Sequence, residues 1–250
     1  SLQSVKDIYL GHGTDDIEIE CASLILGSLN LPLDWPEHYW QARLTAEEQD
    51  FLAIQFFKRF EEKIPVPYLI HQAYFCGLKF YVDERVLIPR SPIAELIESQ
   101  FAPWVDPNAV DSILDLCTGS GCIAAACADA FPFAQVDAID IDTDALSVAK
   151  KNIQGLGLEE QVRLIHSDGL SALRHEQYDI IVSNPPYVSA AEMQTLPVEY
   201  THEPKHALEA KDDGLALVHH IMAHAKSFLK PHGILVVEVG NTDEALIEAY

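Results

Sequence analysis

The residues Asn184-Pro185-Pro186-Tyr187 follow the apolar run Tyr178-Asp179-Ile180-Ile181-Val182-Ser183, which places a rigid polar corner at the C-terminal end of a predicted buried strand. Proline lacks an N–H and fixes its own φ, and the residue before a proline is pushed into extended geometry. Asn184 and Pro185 therefore present carbonyl oxygens with little competing donor capacity. Two fixed acceptors can grip the two hydrogens of an NH2 group and aim its nitrogen at an electrophile, which is catalysis by orientation.

A second constellation lies upstream, where a predicted strand runs into Asp115-Leu116-Cys117-Thr118-Gly119-Ser120-Gly121 and then the small-residue segment Cys122 to Ala130. Glycines allow a sharp turn and close approach to a ligand, while a helix N-terminus offers N–H groups to an anion. Gly119, Gly121 and Ala124 satisfy the pattern G-x-G-x-x-G/A. Asp140, followed by Ile141, ends the next strand, where a carboxylate can accept hydrogen bonds from both hydroxyls of a ribose. Asp168-Gly169 ends the third strand and adds a carboxylate where an adenine would lie. The glycine pattern alone fits NAD and S-adenosylmethionine equally, since both carry an adenosine. Transfer of a methyl group to a planar nitrogen needs an acceptor corner such as Asn184, and hydride transfer has no evident need of one.

The elements that must hold these residues fall into three stretches. Residues 1–63 read as a small helical domain: Ile19 to Leu29 is mostly apolar, Thr45-Ala46-Glu47-Glu48 has capping-box form, and Phe51, Ile54, Phe57 and Phe60 mark one helix face. Residues 64–92 read as a β-hairpin linker, with Tyr74–Tyr81 and Val86–Ile88 as its arms around Asp83-Glu84. From 93 to 250 short apolar strands alternate with helices, the mark of βαβ units and a parallel sheet. Strands are placed at Ser112–Cys117, Gln135–Ile141, Val162–Ser167, Tyr178–Ser183 and Ile234–Val239. Helices are placed at Ile93–Ala102, Cys122–Ala130, Thr143–Gly155 and Gly214–Leu229.

The chain has 250 residues, 48% of them hydrophobic, enough for a large core. Its formal charge of −23 disfavours nucleic acid and favours a cationic partner such as a basic protein. Five cysteines form an odd set without a C-x-x-C pair, which fits a reducing cytoplasm. The start, Ser1-Leu2-Gln3-Ser4, has no signal-peptide character, and no apolar run is long enough to span a membrane.

With these residues in place the chain resembles the class I S-adenosylmethionine-dependent methyltransferases, and within them the HemK-like glutamine methyltransferases, which carry Asn-Pro-Pro-Tyr after the fourth strand. The resemblance covers nearly the whole chain. More narrowly, Gly11-His12-Gly13-Thr14-Asp15, Phe75-Cys76-Gly77, Tyr81 to Ile93 and Asp115 to Ala124 are similar to the branch that methylates a glutamine of the large-subunit ribosomal protein L-three. The sister branch, which acts on peptide release factors, usually has a proline-aspartate-threonine run after Ile-Pro-Arg and a glycine where Cys117 stands; here Ser91-Pro92-Ile93 follows Arg90. The family also continues beyond the fifth strand into an antiparallel pair, so the last strands are expected to be missing from a sequence that stops at Tyr250.

The resemblance implies a Rossmann-like sheet with an N-terminal substrate-recognition domain. S-adenosylmethionine is the implied donor and S-adenosylhomocysteine the product, with no metal, membrane or direct nucleic-acid contact. Asn184 and Pro185 would be catalytic; Pro186, Tyr187 and Arg90 would line the substrate pocket. Asp115, Cys117, Thr118, Gly119, Ser120, Gly121, Asp140, Ile141, Asp168, Gly169 and the shared Asn184 would hold the cofactor. Three other functions share some of these features: release-factor methylation, amino methylation of nucleic acid, and a fold kept only for interaction.

His202-Glu203-Pro204-Lys205-His206 matches the letters of a zinc protease motif, but Pro204 argues against the helix that chemistry requires. His220 and His224 share helical spacing without a third ligand. Cys117, Cys122 and Cys127 lack metal-ligand spacing and are expected to pack as small apolar residues.

Overall fold

The computed structural model describes residues 8–12, 14–34, 36, 40–210, 215–240 and 246–247. Gly13 and Gly214, used in the sequence reading, lie outside them.

The N-terminal stretch folds because its helix starts are well capped. Asp16 accepts hydrogen bonds from the Glu18 and Ile19 amides to begin α1 (Ile17–Ser28), and Thr45 with Glu48 forms a complete capping box on α2 (Ala46–Phe60). The buried face of α2 differs from the expected one. Phe51, Ile54 and Phe57 are 42%, 54% and 56% exposed, while Leu52, Gln55 and Arg59 turn inward. Arg59 decides this orientation, because its guanidinium meets two buried carboxylates, Glu20 and Glu199. Then comes the short α3 (Val66–Ile70), with Pro67 in its first turn.

The hairpin is tighter than predicted. Strands β1 (Ala73–Phe75) and β2 (Leu78–Phe80) pair antiparallel around Cys76 and Gly77, both at positive φ, +46° and +73°. Two such residues make the turn that matches strand twist. Val86–Ile88 is not a strand. The Asp83 carboxylate accepts hydrogen bonds from Arg85, and the Val86 amide donates to Asp83 O, so the chain turns there and continues as a buried strip to Ser91. The helix predicted to reach Ala102 is α4 (Ile93–Glu98), ended by Gln100 and Phe101 at positive φ.

Five strands form a parallel sheet in the order β5-β4-β3-β6-β7: β3 (Ser112–Leu116), β4 (Gln135–Asp140), β5 (Val162–His166), β6 (Tyr178–Ser183) and β7 (Leu229–Val237). Between them lie α5 (Cys122–Ala130) and α6 (Thr143–Leu156). After β6 come α7 (Ala190–Met193), α8 (Lys205–Leu208) and α9 (Ala216–His224). Alternate residues serve opposite faces. Ile113, Val136, Ile180 and Val182 pack with α5, whereas Leu114, Leu116, Ile139 and Ile181 pack against Leu170, Leu173 and Ile221. Strand β7 begins at Leu229, earlier than the predicted Ile234, because Leu229 already pairs with Tyr178 before a register shift. No helix among the described residues is long and apolar enough to cross a membrane.

The chain moves outward from β3 to β5, then returns to place β6 on the other side of β3. Strands β3 and β6 therefore flank the topological switch point, where open parallel sheets bind ligands beyond their C-terminal ends. The glycine loop follows β3, and the Asn184 corner follows β6.

Candidate active site

Two clefts meet at this switch point. The first is lined by Cys117, Thr118, Gly119 and Ser120 of the β3–α5 loop, by Asp140 and Ile141 after β4, by Asp168 and Gly169 after β5, and by Asn184 and Pro186 after β6. Cys117, Gly119 and Gly121 all have positive φ. A Cβ placed on Gly119 would meet nothing within 4 Å, so the bare backbone faces open space. Gly121 does a different job: a Cβ there would come 3.2 Å from the Ala149 Cβ, and its absence lets α5 sit against α6.

Asp115 and Gly121 stand behind this wall, not on it. The Asp115 Oδ2 accepts from the Thr118 hydroxyl at 2.6 Å and the Ala124 amide at 3.1 Å, which shapes the loop and the start of α5. Asp115 Oδ1 is buried with no hydrogen-bond partner among the described residues, and burial pushes this carboxyl up to about 7. Asp140 accepts from the Gly119 amide at 2.8 Å through Oδ2 and from the Asp142 amide at 2.9 Å through Oδ1. Each oxygen keeps a further lone pair for a ligand hydroxyl. Burial raises the Asp140 carboxyl above its ordinary value despite those two amides.

The second cleft is lined by Asn184, Pro185 and Tyr187 of the corner, by Val188, Glu192, Thr195, Leu196, Tyr200 and Leu208 of the segment that follows, and by Glu238 and Gly240 just past β7. Asn184, Leu87, Arg90 and Ala207 line both clefts. Pro186 faces the first cleft and Pro185 the second, so the Pro-Pro pair divides its two residues between them.

Arg90 is held, not free. It makes a bidentate pair with Glu203 at 2.6 and 2.8 Å, donates to the Ile88 carbonyl at 3.2 Å, and stands over the Tyr200 ring at 5.1 Å. Glu203 also meets His12 Nε2 at 2.6 Å. Beside it, Arg59 joins Glu20, Glu199 and the Tyr9 carbonyl, and the Tyr9 amide donates to Glu199. Through these contacts the helical N-terminal stretch holds the segment around Glu199 and Glu203, from which Tyr200 lines the second cleft. Opposite, the Tyr187 hydroxyl donates to Glu238 Oε1 at 2.7 Å, and burial beside that carboxylate raises the phenol well above its ordinary value.

The letters His202-Glu203-Pro204-Lys205-His206 point three ways. His202 contacts the Glu62 carbonyl, Glu203 holds Arg90 and His12, and His206 pairs with Asp142 at 2.8 Å on the rim of the first cleft. The described residues contain no group of three or more His, Cys, Asp or Glu side chains that could hold a metal. His220 and His224 lie ring against ring, 4.4 Å between centroids. Cys122 and Cys127 are buried; burial pushes the Cys122 thiol up to about 12.

Sequence reasoning missed Glu203, Tyr200, Glu238, Gly240, His206 and Leu87 as lining or supporting residues. Only Glu238 carried a usable signal, its place at the end of a predicted parallel strand.

The fold is similar to that of a methyltransferase from Pyrococcus furiosus, with a TM-score of 0.50 at 19% identity over 69% of this chain and 74% of that one. Residues 101–211 match the family described as the Methyltransferase small domain. Sheet order, glycine loop and switch-point clefts together define a Rossmann-like class I methyltransferase. A ribosomal protein uL3 glutamine methyltransferase of Francisella tularensis is 44% identical over 249 residues, 99% of this chain and 79% of that protein. Another, from Neisseria meningitidis serogroup A, is 47% identical over 244 residues, 97% of this chain and 80% of its own length. This chain belongs to the family of ribosomal protein uL3 glutamine methyltransferases.

Proposed function

We propose that this protein transfers a methyl group from S-adenosylmethionine to the side-chain amide nitrogen of a glutamine in ribosomal protein uL3. The observation that carries this reading is the position of Asn184, which lines both clefts, in a chain 44–47% identical to uL3 glutamine methyltransferases over almost its whole length. The first cleft fits the cofactor: it offers bare backbone at Gly119, a carboxylate at Asp140 for the ribose hydroxyls, and Ile141 and Asp168 for the adenine. S-adenosylmethionine, when bound, supplies a methyl group on a positively charged sulfur and leaves as S-adenosylhomocysteine.

A glutamine nitrogen is a poor nucleophile because its lone pair is delocalised into the carbonyl, so the chain must position it. In this reading Asn184 Oδ1 and the Pro185 carbonyl accept hydrogen bonds from the amide NH2 and turn the nitrogen towards the first cleft. As the nitrogen gains positive charge, the same fixed acceptors stabilise the transition state more than the ground state, and the N–H proton made acidic by the new N–C bond leaves to water. Tyr187 walls the glutamine pocket. Arg90, neutralised by Glu203, shapes the entrance and is not itself the group that grips substrate.

The same proposal assigns residues 1–63 to substrate choice and residues 93–250 to chemistry, joined by residues 64–92. The charge of −23 suits capture of a basic ribosomal protein, and five free cysteines suit a cytoplasmic setting. The test is incubation with labelled S-adenosylmethionine and, separately, unmethylated uL3, a release factor and bare ribosomal RNA. Label on a glutamine of uL3 alone is the expected result; label only on the release factor or the RNA overturns the substrate, and no label overturns the activity.

A further inference from the structure

Among the described residues, the hydroxyls that line the second cleft are already engaged, that of Tyr187 by Glu238. Glu238 accepts hydrogen bonds from the Tyr187 hydroxyl at 2.7 Å and, on its other oxygen, from the hydroxyl of Ser91, a residue of the first cleft, at 2.5 Å. The other hydroxyls on the cleft wall are also engaged: Thr195 donates to the Glu192 carbonyl at 2.8 Å, and the Tyr200 hydroxyl lies 2.9 Å from that of Tyr9. Arg90 is matched by Glu203, and the Glu238 carboxylate stands on the same cleft wall. A second, independent contact fixes the same ring. A Cβ on Gly240 would come 2.8 Å from Tyr187 Cδ2, so the bare backbone past β7 is pressed against the tyrosine.

We propose that Glu238 makes this cleft select an uncharged glutamine over a glutamate. By holding the Tyr187 hydroxyl hydrogen it leaves that oxygen as an acceptor towards the incoming NH2 group, and its charge repels a carboxylate. An amide, with two donors, finds partners in such a cleft, whereas a glutamate, an acceptor only, finds unpaired lone pairs and a like charge. Glu238 also positions Tyr187, acting on the reaction through that ring without touching the reacting atoms. The inference rests on the glutamine methylation proposed above.

The experiment uses the full chain, purified uL3, and uL3 in which the glutamine found methylated by mass spectrometry is changed to glutamate. For wild type and Glu238→Gln, the inhibition constant of the glutamate form is divided by the KM of the native form, so that affinity from the rest of the docking surface cancels. That ratio is expected to fall about ten-fold or more in Glu238→Gln, because the repelling charge is gone. An unchanged ratio in a folded variant that binds S-adenosylhomocysteine as wild type does overturns the selection.

Tyr187→Phe keeps the Glu238 charge and removes the positioned hydroxyl. It is expected to lower kcat roughly ten-fold with the ratio preserved and cofactor affinity within about two-fold. An unchanged kcat overturns the positioning role, even if Glu238→Gln does not fold. Failure of the wild type to methylate native uL3 overturns the functional reading itself, and with it this inference.

Discussion

The two clefts are built by different means. The floor of the first is made of residues at the ends of neighbouring strands, and its shape comes from backbone: positive φ at Cys117, Gly119 and Gly121, and amides aimed at Asp115 and Asp140. The second draws residues from four distant stretches, and side chains hold it together. Arg59 reaches Glu199 across 140 positions, Arg90 reaches Glu203 across 113, and Ser91 reaches Glu238 across 147. A site for an invariant ligand can be written locally into a loop. On the proposed reading, the site for a protein substrate is assembled from parts that come together only when the whole chain has folded.

That contrast breaks most visibly at Arg59, 2% exposed between Glu20 and Glu199. Arg59→Ala leaves two buried carboxylates without their cation and should cost about 3 to 5 kcal/mol. Chemical denaturation measures it, and a loss under 1 kcal/mol would mean the network does not hold the second cleft. Asn184→Ala, at the junction of the clefts, should lower kcat by roughly a hundred- to a thousand-fold. Calorimetric titration of S-adenosylhomocysteine should show affinity within about two-fold of wild type, and near-normal turnover would remove the orientation mechanism.

Asp115 tests the first cleft. Its folded carboxyl titrates at about 7, above the ordinary value of 3.8, so the folded state holds a proton that the unfolded chain releases. This contribution to stability is complete below about pH 4 and is lost as pH rises through 7. Asp115→Asn has no such titration. Between pH 5 and pH 8 its stability should rise relative to wild type by about 3 kcal/mol; a constant difference would show that the Asp115 carboxyl is not raised. The smallest effect is at Thr45, whose capping box on α2 lies far from both clefts. Thr45→Ala should cost about 1 kcal/mol and leave kcat unchanged.

The same contrast explains what could be read from the sequence. The parallel sheet, the glycine loop, Asp140 and the Asn184 corner follow local rules of period, turn and proline chemistry, and the structure brings them together at one switch point. The inner face of α2 could not be read in this way. Phe51, Ile54 and Phe57 have the spacing of a buried stripe, but the pairing of Arg59 with Glu20 and Glu199 is a long-range event that turns the helix the other way. Likewise Arg90 stands beside the motif residues in sequence, and only Glu203 shows that its charge is already matched. The hairpin turn was misplaced because Asp83-Glu84 has turn composition, whereas Cys76 takes a positive φ that its side chain does not advertise.

The strip from Val86 to Ser91 is tied at one end by the Tyr68 hydroxyl, which donates to Val86 O at 2.6 Å, and its residues Leu87 and Arg90 border both clefts. Whatever settles this strip when one cleft fills need not be settled again when the other does. Where a ligand in one cleft settles the strip, the two ligands would be thermodynamically linked, each raising the other's affinity by one and the same factor. Titrating S-adenosylhomocysteine with and without saturating uL3 reads that factor from one side, and titrating uL3 with and without S-adenosylhomocysteine must return it from the other; a factor of one in both would mean that the strip is already rigid before either ligand arrives.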